Sequence, residues 1–202
     1  MAKTPKLDLL ERVEVTSRAE WRTWLKKNHT RTFGIWLVSY KKVVPEKYLS
    51  WNHIVEEALC FGWIDSTARG LDAERSMIYV CPRKPKSVWS KVNKARVEEL
   101  IATKRMATPG LKAIDVAKAN GSWTSIDAVE ALVIPHDMAK ALLEIRTAQK
   151  YFDAFPPSSR RNILMWVTSA KTDVTRTRRI EQAVALAAKN IRANQPVVKR
   201  RA

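Results

Sequence analysis

The sequence predicts an α+β fold: a small, mainly antiparallel sheet with helices in the N-terminal half, followed by an all-helical C-terminal half. Residues 33–40 are apolar on both alternating sets and rich in β-formers, which reads as a central strand covered on both faces. Residues 63–67 and 76–81 are two further β-rich runs on either side of a turn-prone stretch at 69–72, where Gly70 offers a positive φ. From Pro82 onward the apolar period lengthens from two to about three and a half, and no later segment makes a strand.

The elements follow in order. Residues 1–15 are charged and read as a frayed or edge segment. Ser17 then caps a helix carrying Trp21, Trp24 and Leu25 on one face. Ser50 caps a second helix whose inward stripe is Ile54, Val55, Ala58 and Leu59, and Gly62 stands where a left-handed residue ends it. Later helices are predicted over residues 90–104, 109–120, 135–155, 158–170 and 172–191. Thr108 and Pro109 form a cap followed by proline in the first turn, and Gly121 is a terminator. The expected division is an α+β domain over residues 1–107, a helical domain over 108–194 and a basic, flexible tail over 195–202.

Thirty-seven Lys and Arg against twenty Asp and Glu give a formal charge of +17, with residues 1–110 carrying +9 and residues 111–202 carrying +8. A single nucleic-acid-binding arm would make the chain lopsided; this even spread suits solubility, or general attraction to an anionic small molecule or nucleic acid. Cys60 and Cys81 sit among apolar neighbours and read as reduced, buried thiols. Residues 1–12 place charges where an export signal needs an apolar core, and no run of about 18 apolar residues could span a membrane, so cytoplasmic residence is expected.

Two strings carry most of the remaining information: residues 57–66 (Glu-Ala-Leu-Cys-Phe-Gly-Trp-Ile-Asp-Ser) and residues 82–93 (Pro-Arg-Lys-Pro-Lys-Ser-Val-Trp-Ser-Lys-Val-Asn). With Trp24 and Leu25, Asn28 and His29, residues 34–37, Leu71, Asp72 and Arg75, and then Ala170, Lys171, Thr175, Arg176, Arg179 and Ile180, they resemble the YdeI/OmpD-associated, or bacteriocin-protection, family over residues 20–190. Arg105 departs from a glycine usual before Met106. The resemblance implies a bacterial protein with a role in stress protection and fixes no reaction. Its porin association would imply the envelope, at odds with the charged N-terminus.

A candidate ligand site gathers Trp63, Asp65, Arg83, Lys86, Ser87, Trp89, Ser90 and Asn93. Arg83, Lys84 and Lys86 precede a helix start that Ser90 can cap, and free amides, the positive helix end and these cations together attract phosphate or carboxylate. Trp89 supplies a stacking plane. The competing reading gives Ser87 and Ser90 to capping, Trp89 to the core and the cations to solvent. Asp65, beside Trp63 on the same strand face, is the one candidate catalytic carboxylate, which could act with Arg83 as a desolvated acid or base; it equally suits a structural partner such as Arg75 or Arg83. A second basic cluster, Lys171, Arg176 and Arg179, reads as an anion contact or as salt bridges to Asp173 or Glu181.

The three histidines, His29, His53 and His136, show no metal spacing, and the glycine-rich phosphate loops and the nucleophile elbow do not occur. No metal or cofactor is expected, and a non-catalytic binder is favoured over an enzyme. His53 and Glu57, one helical turn apart, are the remaining acid–base pair.

Overall fold

The structure is a computed structural model that describes residues 7–195. The chain divides into two compact units, Met1–Thr124 and Ser125–Ala202.

The first unit is built on a four-stranded sheet in the order β1-β2-β4-β3, formed by β1 (Arg12–Glu14), β2 (Ile35–Tyr40), β3 (Trp63–Gly70) and β4 (Arg75–Pro82). β1 runs parallel to β2, and the other two pairings are antiparallel, so the sheet is mainly antiparallel as its sequence predicts. β2 lies between two neighbours and its first five residues are buried, which explains its unbroken apolar run. Ile35, Leu37, Ile78, Val80 and Trp63 share one large core with Trp21 and Leu25 of α1 (Arg18–Asn28) and with the apolar stripe of α2 (Trp51–Cys60). Trp36, Val38 and Met77 form a smaller cluster with Leu10. Trp24 joins the two indoles of the large core, stacked on Trp21 at 5.4 Å and edge-on to Trp63 at 5.6 Å.

The caps at Ser17 and Ser50 form as the sequence predicts, accepting from the amides of Glu20 and His53. Gly62 adopts a φ of +74°, reversing the chain from α2 into β3. The β3–β4 turn differs from expectation. Gly70 lies inside the strand without a positive φ, and the Asp72 carboxylate makes the reversal by accepting from the amides of Glu74 (3.0 Å) and Arg75 (2.7 Å).

α3 (Lys91–Ala102) follows with Ser90 as its cap, and α4 (Thr108–Ala119) begins one residue before the proline expected to start it, with Ala107 in the capping position. α4 belongs to the first compact unit, which runs to Thr124. The reason is close packing. The amide of Ala107 bonds to the carbonyl of Cys60 at 3.2 Å, and Gly110 lies so near that carbonyl that a Cβ there would stand 2.3 Å from its oxygen.

The second unit comprises α5 (Asp127–Glu130), α6 (His136–Glu144), α7 (Arg146–Ala154), α8 (Pro157–Thr168) and α9 (Asp173–Ala188) around its own core, which includes Met138, Leu142, Phe152, Leu164 and Val184. The single helix expected over residues 135–155 is two helices. Ile145, with φ −126° and ψ 94°, breaks it. On a continuous helix the step from Leu142 to Ala148 is out of phase with the 3.6-residue turn, and the break lets both Met138 with Leu142 and Ala148 with Phe152 reach the core. The short α5 was not foreseen. Beyond Gln195, the predicted basic tail lies outside the described residues.

Candidate functional site

The segment between β4 and α3 positions the best-defined candidate site. The Arg83 amide donates to the carbonyl of Gly62 at 2.9 Å, which extends the strand pairing, and a turn closed by the Ser87 amide on the Lys84 carbonyl (2.9 Å) swings the chain so that Trp89 enters the core. Trp89 is 1% exposed and packs against Trp123 with ring centres 5.0 Å apart. The Arg83 guanidinium folds back over this indole, its Cζ 3.7 Å from the ring centre, and Nη2 donates to the carbonyl of Val88.

Two nitrogens of that guanidinium, Nε and Nη1, are buried without a hydrogen-bond partner. Such groups are costly to leave unpaired. Burial pushes the Arg83 pKa down to about 10, with the negative charge of Asp65 acting in the opposite direction. Arg83 lines a cavity of about 240 Å³ together with Lys84, Pro85 and Trp89 on one side and Pro109, Lys112 and Val116 of α4 on the other. Three cations therefore face one concavity, and the most buried of them carries unsatisfied donors.

Other predicted site residues lie elsewhere or are otherwise engaged. Lys86 is exposed and does not line the cavity; Ser87 closes the turn; Ser90 accepts from the Asn93 amide at 3.3 Å, and the Asn93 side chain accepts from Arg96 at 3.1 Å. Trp63 is fully buried and donates to the carbonyl of His29 at 3.1 Å. Asp65 accepts from the Trp51 indole at 3.1 Å and makes no ion pair with Arg83 among the described residues. The guanidinium already occupies a face of Trp89, so the ring offers no free stacking plane there.

The second basic cluster does not converge on an open site. Arg176 clasps Asp137 with two hydrogen bonds, 2.6 and 2.9 Å, in place of the expected Asp173 or Glu181. Arg179 donates to the Trp166 carbonyl and to the Ser169 hydroxyl, and Lys171 is exposed.

Two features of this region have little or no signature in the sequence. Lys112 reaches the cavity from α4, and nothing in the linear pattern singles it out. Glu57, considered only beside His53, is 1% exposed and is held by Arg18 (2.6 Å), Arg22 (2.7 Å) and Arg105. Glu56 joins through Arg18 at 2.5 Å and Arg105 at 3.7 Å. The paired acids and the Arg18–Arg22 spacing were the available signals. Cys60 borders this network, and its thiol pKa is raised, first by burial and then by the charge of Glu57, so it is a poor nucleophile. Cys81 is only half-buried, less enclosed than expected. Among the described residues no group of His, Cys, Asp and Glu could hold a metal ion, and no helix is long and apolar enough to cross a membrane.

Residues 13–113, half of the chain, match the family model described as a domain of unknown function, DUF8412. The chain belongs to the DUF8412 family. Residues 131–190 match a second model, described as bacteriocin-protection, YdeI or OmpD-associated, a partial match covering the C-terminal part. The DUF8412 segment holds the cavity except for Val116, together with the Glu57 network and both strings that suggested the resemblance, whereas Lys171, Arg176 and Arg179 lie in the YdeI/OmpD-associated segment. No curated protein and no solved structure matches the chain.

Proposed function

We propose that this protein is a non-catalytic, cytoplasmic binder of a phosphate-bearing anion, held in the cavity between the 83–89 segment and α4, and that it contributes to bacterial stress protection. The observation that carries this reading is Arg83: a desolvated guanidinium with two buried donors unspent, facing a cavity shared with Lys84 and Lys112. An anion there would offset the cost of burying the charge. The match over residues 131–190 supports the bacteriocin-protection context.

Titration calorimetry with pyrophosphate tests it. Single-site binding that weakens as salt is raised, and that falls by about tenfold or more in Arg83→Ala, is the expected result, because a charge-assisted bond contributes roughly 1.5–3 kcal/mol. Binding unaffected by both Arg83→Ala and Lys112→Ala, or no binding at millimolar concentrations, would overturn it.

A further inference from the structure

A second concavity, of about 340 Å³, opens at the other end of the sheet from the Arg83 cavity's strand termini, where β2 finishes and α2 begins. Strand register creates it. Ser39 pairs with Ser76, and Ser76 pairs with Gly70, so one row across β2, β4 and β3 carries two hydroxyls and a hydrogen atom in place of bulky side chains. Ala68 stands in the neighbouring row, opposite Ile78. A Cβ added at Gly70 would meet nothing within 4 Å.

Around this low floor stand Tyr40, Tyr48 and Trp51, with Ile54 and Leu49 beneath. Tyr48 is 39% exposed and Trp51 50%, unusual for large aromatic side chains. The Trp51 ring is nevertheless fixed: its indole nitrogen donates to Asp65, and Arg96, itself held by Asn52 at 2.9 Å, lies over it at 4.8 Å. Ser39 is 95% buried by its 5% exposure, lines the pocket, and makes no hydrogen bond through its hydroxyl among the described residues. Lys42 stands at the rim over Tyr48 without an ion pair among the described residues, and α2 presents its positive end beside it.

We propose that this pocket binds a nucleoside monophosphate, the ring lying against Tyr48 and Trp51, its polar edge reaching Ser39 and Ser76, and the phosphate facing Lys42 and the start of α2. Aromatic walls tolerate any planar base, a hydroxyl lining the pocket floor without a protein partner offers a polar contact, and the rim charge calls for an anion. A ring held rigid beforehand loses little freedom on binding. The site is separate from the Arg83 cavity and stands or falls independently of it.

The test uses the full chain carrying Arg83→Ala, which removes the principal cation of the other cavity, titrated with adenosine monophosphate and followed by ligand-observed NMR and calorimetry. Single-site binding is expected, about tenfold tighter than adenosine, with inorganic phosphate failing to compete. Ala68→Phe, at an exposed position, should fill the pocket and abolish binding while leaving the melting curve in place; Tyr48→Ala should weaken binding as an independent check. No binding of adenosine monophosphate, equal affinity for adenosine, or binding that survives both variants would overturn the proposal.

Discussion

At the scale of single residues, the strongest electrostatic commitment in the molecule is Glu57. Burial raises its pKa, but hydrogen bonds from Arg18 and Arg22 outweigh burial and hold it below the ordinary 4.5. A carboxylate lowered in this way contributes stability that is present above the unfolded value and lost as pH falls through the folded one. Glu57→Gln should therefore destabilise the protein by about 2–3 kcal/mol, the arginines being partly exposed, and should flatten the fall in melting temperature expected below pH 4.5 in the parent chain; calorimetry across pH checks both. Arg83 predicts the reverse pattern. Because its charge is desolvated and two of its three guanidinium nitrogens lack a partner, Arg83→Met should leave the melting temperature equal or higher while pyrophosphate binding falls by about tenfold or more. These two sites also show what the sequence disclosed. Arg83 and Lys84 were legible because they adjoin a capped helix start, whereas Lys112 and Arg105 were not: each meets its partners only after α4 and the 103–107 turn pack against α2, a contact with no linear signature.

Secondary-structure elements were read more easily than the contacts between them. β2, the Ser17, Ser50 and Ser90 caps and the left-handed Gly62 follow from local rules, since each is decided by a few adjacent residues. The break at Ile145 and the placement of α4 were not legible, because core phase and helix–helix approach decide them. Gly110 is the residue through which α4 approaches α2, with the Cys60 carbonyl where a side chain would begin. Gly110→Ala should gain helix propensity yet lose more to overpacking, a net destabilisation of about 1–3 kcal/mol measurable by urea unfolding. An unchanged or raised midpoint would mean that α4 can shift outward, and the wall of the Arg83 cavity with it.

For the whole molecule, the two cores are built from separate stretches of sequence, one ending by Trp123 and the other starting at Ile126. The charge of +17 is also spread nearly evenly along the chain. Each should fold alone. Residues 1–124 contain every tryptophan but Trp166, including the buried Trp21, Trp36, Trp63 and Trp89, so this fragment should keep the near-UV dichroism of packed indoles and melt cooperatively. Residues 125–202 hold, among the described residues, five helices around Met138, Leu142, Phe152 and Leu164 with the Asp137–Arg176 clasp, and should give a helical far-UV spectrum and a sigmoidal melt. If either fragment melts broadly, without a cooperative midpoint, its core needs the other unit to close. Phosphate and nucleotide sites would then have to be sought in the intact chain alone, because every residue assigned to them lies before position 125.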